Sequence, residues 1–216
     1  MGRTFAIGDI HGCLYKLKDL LKQIEPGLND TLIFLGDYID RGYASRDVVD
    51  FLIDLADQAR CVFLRGNHEE MFINFLEFGT NRNLYFANGG ISTIMSYLEE
   101  AEFVSHSQVA KALPMNHRDF YAGLKWYYED EGYIYVHAGV RPFIPFEKQV
   151  NEDLLWIRNE FIFSPTGLTK KVIFGHTPFT QVLIRDDKIG IDTGAVYGGC
   201  LTAICLPEEI IIQSPG

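Results

Sequence analysis

Short apolar runs that stop at glycine or a small polar residue recur along this chain. Phe5-Ala6-Ile7 runs into Gly8, Leu32 to Leu35 into Gly36, and Cys61 to Leu64 into Arg65-Gly66. Further on, Tyr133 to Val136 runs into His137, and Val172 to Phe174 into Gly175. A short apolar run closed by such a breaker reads as a buried strand ending in a loop. Two stretches of helical spacing separate the first three runs. Leu14, Leu17, Leu20, Leu21 and Ile24 line one face of residues 13–24. Val48, Val49, Leu52 and Leu55 follow Ser45, a residue suited to cap a helix. With strands at about 3–8 and about 60–65 around the central run, the order β–α–β–α–β predicts a parallel sheet with right-handed crossovers.

After Asn67-His68-Glu69 the period changes. Helical stretches are expected at about 69–77, 91–101, 107–112 and 117–127, with breaks at Asn88-Gly89-Gly90 and Pro114. Aromatics such as Phe72, Phe75, Tyr85 and Tyr121 read as core here, so residues from about 69 to 128 are expected to form a helical subregion beside the sheet. Strands return at about 132–137, 171–175, 181–185, 188–191, 200–205 and 209–213, with Asp186-Asp187 as a hairpin turn. A length of 216 residues favours one domain, 1–216. The expected fold is α/β, with two packed mixed sheets flanked by helices.

The strand ends carry the chemistry. Asp9 and His11 follow the first, Asp37, Asp40 and Arg41 the second, and Asn67-His68-Glu69 the third. His137 and His176 follow the two later ones. The chain has 6 histidines, and His11, His68, His137 and His176 all sit at these ends. A core histidine satisfied by backbone accounts for one such residue but poorly for four, and an acidic solvated turn accounts only for the second loop. In open α/β sheets, these loops face the ligand crevice. Acids, imidazoles and an Arg there suggest a metal-and-phosphate site. A mixed Asp/His/Asn donor set suits Mn, Fe or Zn better than Ca or Mg.

GDIHG (8–12), GDYIDRG (36–42), RGNHE (65–69), VHAG (136–139) and FGHTP (174–178) resemble, in the same order, the motif series of the PPP-type metallophosphatases in the calcineurin-like superfamily. LLWIRNE (154–160) and IDTGAVYGG (191–199) resemble later segments of the bacterial and phage members. The resemblance spans nearly the whole chain. It implies the metallophosphatase-type sandwich of two mixed sheets and two divalent metal ions, Mn first, with Fe or Zn as alternatives. It implies Asp9 and His11 on the first metal, Asp37 bridging, and Asn67, His137 and His176 on the second. It also implies attack by a hydroxide shared between the metals, with His68 as general acid and Asp40 as its orienting partner. Arg41 and Arg158 would act in catalysis and clamp the phosphate, joined in substrate binding by Arg65 and Tyr197.

The resemblance points first to a serine/threonine phosphoprotein phosphatase acting on a phosphorylated protein or peptide. A hydrolase of diadenosine tetraphosphate, with a nucleotide substrate, is the alternative. That group usually has Ala at Asp40, Asp at Glu69 and GHW in place of GHTP, and all three differences favour the first reading. An inactive metal-binding scaffold is a third, disfavoured because no ligand or acid is missing.

Composition narrows the partners. A formal charge of −10, from 19 basic and 29 acidic residues, argues against a nucleic-acid polymer. Part of that acidity belongs to the site, where bound cations would offset it. The 4 cysteines form no CxxC pair and read as reduced thiols. Met1 leads straight into a strand without a basic-then-apolar leader, and no apolar run approaches the ~20 residues of a membrane helix. No membrane partner and a cytoplasmic location are expected.

Overall fold

The computed structural model describes residues 2–98 and 104–216. The first sheet has the order β10-β9-β1-β2-β3. Its strands are β1 (Thr4–Ile7), β2 (Thr31–Phe34), β3 (Arg60–Phe63), β9 (Thr202–Leu206) and β10 (Ile210–Gln213). β1, β2 and β3 are parallel, and β9 and β10 add antiparallel to the β1 edge. The second sheet has the order β4-β5-β6-β8-β7, from β4 (Tyr127–Glu129), β5 (Tyr133–Val136), β6 (Lys171–Phe174), β7 (Leu183–Ile184) and β8 (Lys188–Gly190). Its centre, β5, β6 and β8, is parallel, and its edges are antiparallel. Both sheets are mixed, as expected.

Alternation along the strands builds the layers. Ala6, Ile33, Leu35 and Val62 face inward and meet Tyr135, Ile173 and Ile189 of the second sheet. Phe5, Ile7, Leu32 and Phe34 face outward onto α1 (Leu14–Ile24) and α2 (Ser45–Ala56), through Leu17, Leu20, Val48 and Leu52. Burial on both faces explains why these strands read as unbroken apolar runs. The helices α3 (Asn67–Phe78), α4 (Arg82–Ala87), α5 (Gly90–Tyr97), α6 (His106–Ala112) and α7 (Met115–Ala122) join that same outer cluster through Phe72, Tyr85, Ile94, Val109 and Tyr121. On the far face, α8 (Asn151–Trp156) and α9 (Asn159–Phe163) pack Leu154, Phe161 and Ile162 on Val136, Val172 and Phe174.

The structure departs from expectation in four places. The helix expected over 117–127 ends at Ala122, and Tyr127–Glu129 is instead strand β4. Gly123 stops the helix, and the aromatic run Trp126-Tyr127-Tyr128 prefers a strand. Ser45 does not cap α2; it is the first helical residue, and its Oγ turns inward to accept from Asp40 N at 3.1 Å. The expected helix over 91–101 is α5, and residues 99–101 lie outside the described residues. Helices α4, α8 and α9 were not anticipated, because six or fewer residues hold too little periodicity to read.

Candidate metal centre

The loops after β1, β2 and β3 in one sheet, and after β5 and β6 in the other, converge where the C-terminal ends of the parallel strands meet. Asp37 lies at the middle. Its Oδ2 is 3.4 Å from His11 Nε2 and 4.0 Å from His68 Nε2, and its Oδ1 is 3.5 Å from His137 Nε2. Asn67 opens α3, and its Oδ1 lies 2.9 Å from His137 Nε2 and 2.8 Å from His176 Nδ1. Asp9 accepts from the backbone N–H of His176 at 3.0 Å. All seven side chains are buried.

The donor set fits metal ions. His11 and His137 each direct Nδ1 at a backbone carbonyl, of Ile39 at 2.8 Å and of Leu35 at 2.9 Å. That fixes the tautomer with the Nε2 lone pair facing the centre. Acceptor then faces acceptor between His137 Nε2 and Asn67 Oδ1, and between His11 Nε2 and Asp37 Oδ2. Nε2 of His68 and of His176 are buried without a partner. Two sets of side chains, His11–Asp37–His68 and Asp37–His137–His176, could each hold an ion. Asp37 belongs to both.

Electrostatics agree with that reading. Burial drives His11 down to about 3 and His176 to about 2, and lowers His137, so these rings are neutral and ready to donate a lone pair. Burial by itself would raise Asp37, but the surrounding histidines, His137 foremost, pull it below the usual carboxylate range. Asp9 is raised by burial and then by the nearby Asp192 and Asp37. Positive charge at this point would relieve that crowding.

His68 behaves differently. Its Nδ1 lies 2.7 Å from Asp40 Oδ2, with both groups buried. Burial disfavours its charge, but Asp37 and Asp40 outweigh it, so its pKa is raised. Asp40 is held in turn by Tyr85 Oη at 2.9 Å and Thr93 Oγ1 at 2.5 Å. Glu69 is fully buried and accepts from the N–H groups of Asp37 and Tyr38 at 2.8 Å and of Gly66 at 3.0 Å. It thereby pins the loop that presents Asp37. His11, Asp37, Asp40, Arg41 and His176 all have left-handed backbones, with φ of 45°, 53°, 70°, 69° and 64°.

The arginines divide. Arg41 donates through Nη1 to His11 Nε2, its guanidinium standing where positive charge is wanted, and lies 5.6 Å from the Tyr197 ring centre. Arg158 is exposed at the start of α9 and depresses both His137 and His176. Arg65 does not join them. It pairs with Glu70 at 2.9 Å and lies over the Trp126 ring at 4.6 Å. The sequence does not single out Asp192, Tyr85 or Thr93: Asp192 lies inside the IDTGAVYGG segment, and Tyr85 reads as core.

A carboxylate shared between imidazole clusters at the mouth of two packed sheets defines the class of metal-dependent phosphoesterases. The chain belongs to the calcineurin-like phosphoesterase family, whose sequence model matches residues 2–197. Members of that family use dinuclear metal centres. A bis(5'-nucleosyl)-tetraphosphatase (asymmetrical), PrpE, of Anoxybacillus flavithermus is 28% identical over 234 residues, covering 97% of this chain and 92% of the relative. The protein of the same name from Bacillus cereus is 28% identical over 236 residues, with 97% and 92% covered. The crystal structure of a candidate diadenosine tetraphosphatase superposes with a TM-score of 0.75 at 25% identity, covering 100% of this chain and 94% of that one. A serine/threonine phosphatase of Saccharomyces cerevisiae shares the fold alone, with a TM-score of 0.64 at 15% identity and 100% and 80% covered.

These relatives overturn the expectation of a phosphoprotein phosphatase. The three sequence differences that favoured it are taken up within the protein. Asp40 is fully buried on His68, Tyr85 and Thr93, and Glu69 is spent on backbone N–H groups. Thr177 keeps its hydroxyl buried without a partner. Residues that touch only the hydrolytic core carry no information about what is hydrolysed.

Proposed function

We propose that this protein hydrolyses dinucleoside polyphosphates, diadenosine tetraphosphate foremost. The observation that carries the reading is the near full-length match to tetraphosphatases, 97% of this chain against 92% of the relative. The complete set of candidate donors and the intact His68–Asp40 pair support an active hydrolase over a scaffold. Asp9, His11, Asp37, Asn67, His137 and His176 would hold two divalent cations, and their nitrogen-and-oxygen set suits Mn, Fe or Zn better than Ca or Mg. When bound, the cations would lower the pKa of a water and draw charge from the phosphoryl oxygens. Arg41 and Arg158 would fork onto phosphate oxygens. Arg41 would first leave His11, which needs only a side-chain rotation. His68 would give its Nε2 proton to the departing phosphate oxygen while Asp40 holds Nδ1. Four free thiols, Cys13, Cys61, Cys200 and Cys205, suit a reducing, cytoplasmic setting. No described helix is long and apolar enough to cross a membrane.

The test is turnover with added Mn on diadenosine tetraphosphate and on a phosphoserine peptide, with products separated by anion exchange. The dinucleotide should be cleaved to two nucleotides, much faster than the peptide releases phosphate. Absence of nucleotide products would overturn the reading.

A further inference from the structure

A cavity of about 660 Å³ is lined in part by Arg41, whose guanidinium also touches His11 of the metal centre. Tyr15 and Tyr43 stand on its rim, Lys18 and Arg41 carry its positive charge, and Val196 and Leu14 give it apolar wall. We propose that this cavity takes one nucleoside of the substrate, its purine stacked on Tyr43 and Tyr15, while Arg41 bridges from cavity to centre along the phosphate chain. The proposal rests on the nucleotide reading above and names the part of the molecule that recognises the base.

Continuity is the first support. Arg41 lines the cavity and its guanidinium touches His11 Nε2, so one residue borders both the cavity and the centre. Chemistry is the second. Tyr15 and Tyr43 are 64% and 95% exposed, a large aromatic surface left to water beside a basic pocket. Aromatic faces beside Arg and Lys are what bases and their phosphates need, because every base has a π-face and every phosphate a charge. Tyr197, 65% exposed with Arg41 over its ring, extends the same surface. Shape is the third. The volume lies within the range of small-molecule sites, about 300–1,000 Å³. Both helices that border the cavity begin there, at Cys13 and Ala44, and neither has a side-chain cap, so their first N–H groups add positive potential. The candidate metal ligands would meet only phosphate oxygens, so base recognition needs a surface of this kind.

The test uses two probes with the same phosphate chain: a non-hydrolysable methylene-bridged diadenosine tetraphosphate, and inorganic tetraphosphate, which has no base. Titration calorimetry would follow binding of each to the Mn-loaded full chain. Tyr43→Ala should weaken the dinucleotide analogue by about fivefold or more, the low end for loss of one stacked base, and weaken inorganic tetraphosphate far less. Tyr15→Ala should act in the same direction. Tyr43→Phe, which keeps the ring, should restore binding. Phe143→Ala, an equally exposed ring elsewhere (69%), should change neither probe. Equal loss on both probes, or no loss on either, overturns the nucleoside site. Unmutated protein that turns over diadenosine tetraphosphate but gives that pattern leaves the function standing without this site; protein that does not turn it over fails the function itself.

Discussion

His68 holds its proton because two carboxylates face it inside the protein. Asp40 lies 2.7 Å from Nδ1, and Asp37 lies 4.0 Å from Nε2. A phosphate leaving group is far less basic than an alkoxide, so the demand on that proton is modest. His68→Asn should therefore lower kcat on diadenosine tetraphosphate by about 10²-fold, the low end of general-acid effects. Asp40→Asn should lower it less, since the ring remains while its counter-charge is gone. Rapid-quench kinetics with metal analysis would check both, and loss of metal from either variant would give His68 a different role. The residues at this scale were legible where chemistry and position coincided, as for four histidines at strand ends. They were not legible where a side chain reaches the site from a distant element. Tyr85 and Thr93 come to Asp40 from α4 and α5, and a buried tyrosine in an apolar block carries no mark of its partner.

The strand-end loops depend on close approach. A Cβ at Gly66 would collide with the Asp37 carboxylate and its backbone N, and one at Gly175 would collide with the Asp9 carboxylate. Gly66→Ala should cost about 1–3 kcal/mol of stability, typical of an overpacked site, and weaken Mn binding by displacing Asp37. Chemical denaturation and Mn titration would measure the two, and a variant with unaltered affinity would show that Asp37 tolerates movement. At the element scale, the sequence reads well where periodicity is long or sharply bounded. β1, α1, β2, α2 and β3 all fall within a residue or two of expectation, and the Asp186-Asp187 hairpin joins β7 to β8. It reads poorly for five- and six-residue helices, and for Tyr127–Glu129, whose pairing with β5 decides its state over a weak local preference.

At the scale of the whole molecule, the candidate ligands come from both sheets. Asp9, His11, Asp37 and Asn67 follow strands of the first, and His137 and His176 follow strands of the second. Bound cations would tie the two sheets together at one end of their shared core, and a ligand held only by the folded state stabilises it in proportion to its concentration over Kd. Chelation should lower Tm by several degrees, about 2.7 kcal/mol being lost if the metal stood at a hundredfold over Kd. Added Mn should restore it, and the Asp37→Asn variant should not respond. Scanning calorimetry with and without chelator would decide, and an unchanged Tm would mean that the sheets hold together without help. The two-sheet sandwich is legible at this scale because strands buried on both faces leave unbroken apolar runs. The substrate is not, because the motif residues describe how a phosphoester is split and say little about what is attached to it.

The left-handed backbones at His11, Asp37, Asp40, Arg41 and His176 carry a consequence for inheritance. Each such residue costs of order 1–3 kcal/mol, and glycine would adopt the same turn without that cost. Selection for the reaction, and at Asp37 and Asp40 the buried hydrogen bonds they accept, oppose a standing pull toward Gly or Asn at these positions. In a lineage released from that selection, they should be the first of the motif to drift, while Leu32, Ile33 and Phe34 behind them persist for packing alone. A descendant that has lost its activity would then be recognisable by glycines where the side chains used to be, in a molecule whose apolar strands are otherwise intact.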